Sequence, residues 1–80
     1  MDNSKKYLAA FAESLDVDEK VLNDDLAYEG IPEWDSIGHM GIIAALEEAF
    51  DIMMETDDIL NLSTFAKGKE ILSSNYEIEF

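Results

Sequence analysis

The stretch from Ser36 to Phe50 constrains the fold of this chain more than any other. At about 100° per residue, Ile42, Ile43, Leu46 and Phe50 fall on one stripe, the signature of a helix with a single buried face. Asp35, just before it, is a residue type that caps helices by accepting a bond from the first free backbone N–H groups. The pattern predicts a helix over 36–50, with Ser36, Met40, Ala44 and Glu47 on an adjacent, exposed stripe. A helix apolar on one side only must bury that side against other elements. The remaining segments decide what those are.

They are also helical. Tyr7, Leu8, Phe11 and Leu15 recur at helical intervals behind Asn3 or Ser4 as the cap, and Leu15-Asp16-Val17-Asp18 ends the pattern. Residues 16–35 read as a long loop. It is pinned by Val21, Leu22 and Leu26, bends at Asn23-Asp24-Asp25 and Glu29-Gly30-Ile31-Pro32, and allows a short helical turn near Glu19–Leu22. After the connector Asp51-Ile52-Met53-Met54-Glu55, Thr56 caps a short helix whose first turn holds Asp57 and Asp58. Ser63 or Thr64 caps a last helix carrying Phe65, Ile71 and Leu72, weakened at Gly68 by up to ~1 kcal/mol relative to Ala. Tyr76, Ile78 and Phe80 form a tail that docks its aromatics. The expected fold is all-α: one domain over 1–80, a small four-helix bundle of three main helices and one short one, with a long first loop.

Composition narrows function by exclusion. The chain has 80 residues and 19 Asp and Glu against 5 Lys, with no Arg and a formal charge of −14. Such a charge repels nucleic acid, where phosphate contacts supply most of the affinity, and anionic membrane surfaces. The absence of Cys removes disulfides, thiolate metal sites and any thiol chemistry of the polypeptide itself. The 48% of hydrophobic residues is too high for an acidic disordered tail. No apolar run approaches the ~18–20 residues of a membrane span, and the N-terminus lacks the apolar core of a signal peptide. A cytoplasmic monomer with basic protein partners is the expectation.

Conventional active sites fail. One His and no Cys make no metal cluster, and a calcium loop starting at Asp16 would place Val21 where Gly is needed. Ser36 and His39 are neighbours on a helix surface, but the helical wheel turns His39 toward the core margin, and no orienting third group follows. No catalytic residue is assigned, and the chain is not expected to be an enzyme. Ser36 remains as a hydroxyl at the first turn of the best helix, where free N–H groups and partial positive charge suit a phosphate ester.

Glu33-Trp34-Asp35-Ser36-Ile37 opening a helix, followed by Ala45-Leu46-Glu47-Glu48-Ala49-Phe50-Asp51-Ile52, resembles the acyl carrier protein family, whose Asp-Ser-Leu motif stands here as Asp35-Ser36-Ile37. The resemblance covers nearly the whole chain, including its length, acidity, long first loop and the Ser63-Thr64-Phe65 start of the last helix. It implies that Ser36 carries 4'-phosphopantetheine from coenzyme A, attached by a phosphopantetheinyl transferase that recognises Asp35. An acyl or aminoacyl group then rides as a thioester. It further implies Ile37 and Met40 as apolar partner contacts and Glu47 and Glu48 as ionic ones. The partners would be a loading ligase and a synthase or acyltransferase with basic docking patches, which acidic charge helps to encounter.

Two departures point away from a general fatty-acid carrier. Gly38-His39-Met40-Gly41, after the motif, lacks the acids usual in that role, and its two glycines loosen the first turns by up to ~1 kcal/mol each. Trp34 before Asp35 is similar to specialised stand-alone carriers. Acyl and aminoacyl cargo both stay open. Met40, Met53 and Met54 are flexible enough to yield to a fatty chain, though methionine at such spacing is more often plain core. Two readings of another class stand beside this one: an acidic interaction module without a prosthetic group, and an acidic mimic of nucleic acid.

Overall fold

The computed structural model describes residues 2–80. α1 spans Asn3–Leu15 and begins at Asp2, whose carboxylate accepts from the Ser4 N–H at 3.0 Å. Asn3 and Ser4, expected as caps, are instead the first helical residues. Asp2 is the better acceptor there because its carboxylate is short, charged and attracted by the helix dipole. Asn3 is used elsewhere: its amide donates to the Glu79 carbonyl at 2.8 Å and fastens the C-terminal tail.

The first loop is held by local and long-range hydrogen bonds. A 3-10 turn at Glu19–Val21 is capped by Asp18, which accepts from Lys20 N at 2.9 Å. Leu22 and Leu26 are buried as expected, but Val21 is exposed; the tight turn points successive side chains different ways, and only Leu22 reaches the core. The loop is then stitched to the junction before the last helix by Tyr28 N–H to Ser63 O (2.9 Å) and Phe65 N–H to Leu26 O (2.8 Å). These bonds flank an isolated antiparallel bridge between Ala27 and Thr64.

α2 spans Ser36–Phe50, α3 Thr56–Asn61 and α4 Phe65–Tyr76. Together with α1 they make the expected small all-helical bundle, with no strand among the described residues. Ile42, Ile43 and Leu46 of α2 are buried; Phe50, at the last turn, is half-buried under Phe80. Thr64 caps α4, accepting from Lys67 N at 2.9 Å. Thr56, expected to cap α3, lies inside it; Glu55 is the cap residue and makes no side-chain cap bond. The Tyr76 hydroxyl serves that end instead. It accepts from Glu55 N–H at 2.8 Å and donates to Asp58 Oδ2 at 2.7 Å. Tyr76 thus belongs to α4 and not to the tail, which docks through Ile78 and Phe80.

The core centres on aromatic rings. Phe11 packs against Tyr7, Phe65 and Trp34 at centroid distances of 4.8, 4.9 and 5.4 Å, within the range in which tilted and edge-to-face pairs are favourable. Tyr7 is fully buried and donates to the Phe65 carbonyl at 2.6 Å. Gly68 is explained by the same phenol, since a Cβ there would collide with the Tyr7 hydroxyl. The glycine that weakens α4 as a helix is what lets α4 approach α1.

Burial, then the nearby Asp24 carboxylate, push the Tyr7 phenol well above its ordinary value of 10.0. The unfolded chain ionises this phenol near pH 10 and the folded chain does not. Its contribution to stability is therefore complete below pH 10 and is lost progressively above it. We expect the alkaline fall in melting temperature to be steeper in the wild type than in Tyr7→Phe.

Candidate functional site

The site assembles at the N-terminus of α2. Asp35 Oδ1 accepts from Gly38 N–H at 2.8 Å, and its carbonyl accepts from His39 N–H at 2.8 Å, so Asp35 fixes the first turn as the sequence predicts. Ser36 follows as the first helical residue. It is exposed, and its hydroxyl takes no part in the cap.

The two glycines behind Ser36 are not equivalent. A Cβ on Gly38 would overlap the Glu33 carbonyl oxygen and come within 3.0 Å of Leu15 Cδ2, so only glycine lets the loop pass this close to α2. A Cβ on Gly41 would meet Ser14 Cβ at an ordinary 3.8 Å. Gly41→Ala should raise stability by about 0.5–1 kcal/mol through lower unfolded-state entropy, whereas Gly38→Ala should lower it by about 1–3 kcal/mol. Urea unfolding of the two variants checks both signs.

His39 turns inward, as the helical wheel implies. The indole N–H of Trp34 donates to His39 Nδ1 at 3.0 Å, and His39 Nε2 lies 2.8 Å from the Ile59 carbonyl. An indole N–H only donates and a carbonyl only accepts, which assigns the proton to Nε2 and the lone pair to Nδ1. Both ring nitrogens are thereby engaged, and neither bonds to Ser36. The ring lies parallel to Trp34 (interplanar angle 13°) and edge-on to Tyr28. Trp34 is wholly buried, so the residue beside the motif is a core residue that anchors the loop beneath α2.

Ser36 opens onto a mainly apolar groove of about 360 Å³. α2 contributes Ser36, His39 and Met40 to it, and α3 contributes Ile59 and Leu60; Tyr28 and Leu62 also line it. Ile37, Met40 and Leu60 are exposed at 82%, 55% and 74%, an apolar surround for the Ser36 hydroxyl. Leu60 was not foreseen. The signal was the Ile59-Leu60 pair in a six-residue helix, where two adjacent apolar residues cannot both face the core.

The acidic residues divide. Glu48 is exposed at the cleft between α1 and α2, which Lys6 and Glu13 also line. Glu47, expected on the exposed stripe, is half-buried, and its Oε2 accepts from Met54 N–H at 2.9 Å. It holds the turn after α2 because the chain reverses there and leaves that N–H without a helical partner. Met54 is buried while Met53 is 87% exposed, so the two neighbours do not form one soft pocket.

Between residues 21 and 66 the chain has 11 Asp and Glu and no Lys or Arg. Three lysines outside that span are engaged: Lys67 with Glu70 at 3.7 Å, Lys6 over Phe50, and Lys69 over Phe65. Among the described residues no cluster of His, Asp and Glu is placed to hold a metal ion, and no helix is long and apolar enough to cross a membrane. Comparison with protein-family models, curated proteins and solved structures finds no match for this chain.

Proposed function

We propose that this chain is a carrier protein whose Ser36 hydroxyl takes the phosphate ester of 4'-phosphopantetheine. The observation that carries the proposal is the state of Ser36: exposed, free of the cap, and on the first turn of a helix that Asp35 has already closed. A serine at the start of a helix commonly serves as the cap itself. Here the neighbouring aspartate does that work and leaves the hydroxyl available. The N-terminal dipole of α2 offsets part of the repulsion that 19 acids impose on a phosphate. The motif around Ser36, similar to that of acyl carrier proteins, supports the same reading.

On attachment Ser36 Oγ forms a bond to phosphorus, and the pyrophosphate bond of coenzyme A breaks. Adenosine bisphosphate leaves, and the hydroxyl proton passes to the phosphopantetheinyl transferase. The bound group supplies the thiol that a chain without Cys lacks. The protein's own residues position and address it. Asp35 and Gly38 set the first turn, and Trp34 locks the loop under it. Ile37, Met40 and Leu60 offer the apolar contact to a loading ligase, acyltransferase or synthase, with Glu48 as a rim charge for basic patches. The weakly charged turn after Ser36 favours partners of a specialised pathway over those of general fatty-acid synthesis.

Incubation with coenzyme A and a broad-specificity phosphopantetheinyl transferase tests the proposal by intact mass. The expected result is one phosphopantetheine per chain, on the peptide containing Ser36. Absence of any gain would overturn it and return the chain to the class of acidic interaction modules.

A further inference from the structure

α2 and α3 meet across the groove beside Ser36, and a half-buried polar relay joins them. Trp34 N–H donates to His39 Nδ1, and His39 Nε2–H donates to the Ile59 carbonyl, so one imidazole ties the loop, α2 and α3 together. Of the α2 side chains lining the groove, His39 is the least exposed. His39 belongs to α2 and Ile59 to α3, so anything that spreads the two helices at this point breaks the relay. It would leave an indole N–H and both imidazole nitrogens without their partners, an unfavourable exchange at a site sheltered from water. A chain of methylenes brings no hydrogen bond to replace them.

The groove alone has modest capacity. Its volume of about 360 Å³ is near the lower end of the ~300–1,000 Å³ range of small-molecule pockets. Its lining includes no charged residue, and no Lys or Arg occurs anywhere between residues 21 and 66. A ligand bearing a carboxylate would lose hydration there and find no cation in return.

We infer that the Trp34–His39–Ile59 relay closes the interior of the bundle, so that His39 sets the depth of the groove and the groove takes a short, uncharged acyl group. A longer acyl chain projects into solvent beyond the groove. His39 acts here as a positioning residue that determines cargo size. This rests on Ser36 as the attachment point, and it deepens the carrier reading by naming the cargo class the chain can shelter.

The test uses amide NMR shifts of the full chain. Loaded from the corresponding acyl-coenzyme A, the butyryl and octanoyl forms should shift the amides of Tyr28, Met40 and Leu60 relative to the unacylated holo form. The palmitoyl form should add nothing further and should leave Leu46 and Leu72, deep in the core, in place. A succinyl group should leave the groove amides unmoved. Titrating the unmodified protein with butyryl and octanoyl N-acetylcysteamine thioesters reads the same groove without any loading, so failure of attachment at Ser36 is distinguished from failure of the groove. In His39→Ala the palmitoyl form should now shift Leu46 and Leu72. His39→Gln, whose amide has both an acceptor and a donor, should keep the interior closed. Palmitoyl-dependent shifts of Leu46 and Leu72 in the wild type would overturn the inference even if His39→Ala does not fold. So would groove amides that no acyl group moves, or a folded His39→Ala that stays closed.

Discussion

Trp34→Ala should leave most of the chain unfolded. The side chain is completely buried, its ring packs edge-on against Phe11 at 5.4 Å, and its N–H is the partner of His39 Nδ1. Removing a buried aromatic of this size costs about 3–5 kcal/mol, and the abandoned imidazole nitrogen adds to that. A domain this small rarely holds more than ~3–5 kcal/mol of net stability. The formal charge of −14 draws on that margin further through self-repulsion. Far-UV circular dichroism during urea unfolding measures the loss without relying on the deleted fluorophore. Trp34→Phe should fall between the two: the ring contact with Phe11 is kept in part, and the bond to His39 is gone. A Trp34→Ala protein as stable as the wild type would mean that the loop is not anchored through this residue.

The consequence reaches the candidate site. Trp34 and Asp35 are consecutive, and they hold the start of α2 from two sides: the indole from beneath, the carboxylate at the end. Ser36 inherits its position from both. Added salt should recover part of the stability lost in Trp34→Phe by screening the acids, but it cannot restore the missing bond.

What could be read from the sequence was local. The helix over 36–50 and its cap Asp35 follow from periodicity and from a side chain reaching three residues along the chain, and both are as expected. The loop's short turn and the buried Leu22 and Leu26 are equally short-range features. What escaped depends on contacts between distant segments. Gly38 reads as a weak helix residue until Glu33 and Leu15 are seen against it, and Gly68 until Tyr7 is. Tyr76 reads as tail because nothing nearby in sequence shows that its hydroxyl completes the start of α3, 21 residues away. Glu47 reads as a free surface acid because the Met54 N–H that it binds lies beyond the reversal of the chain. Leu60 gains meaning only when α3 is placed across from Ser36. The candidate site was therefore legible in its exposed serine and the cap before it, and illegible in the opposite wall of its groove.

Substitutions at Ser36 and Asp35 separate the chemistry of this site from its folding. Ser36→Ala should abolish phosphopantetheine attachment completely while changing stability by no more than about 0.5 kcal/mol, the usual range for a surface position outside any network. The small change in stability follows from the structure, because the exposed hydroxyl makes no cap bond. Asp35→Ala should behave in the opposite sense. The loss of the bond to Gly38 N–H should cost about 0.5–2 kcal/mol and fray the first turn, slowing attachment without eliminating it. Asp35→Asn resolves which property of the aspartate the transferase needs. Asparagine caps a helix nearly as well, so the melting temperature should stay close to the wild type. If attachment to Asp35→Asn is as slow as to Asp35→Ala, the carboxylate charge is what the transferase reads; if it is restored, Asp35 serves by holding Ser36 in place. Melting curves and the time course of mass gain, measured on the same three proteins, give the answer. A Ser36→Ala chain that still gained the full mass would place the attachment elsewhere and remove the reason for reading this helix end as the site.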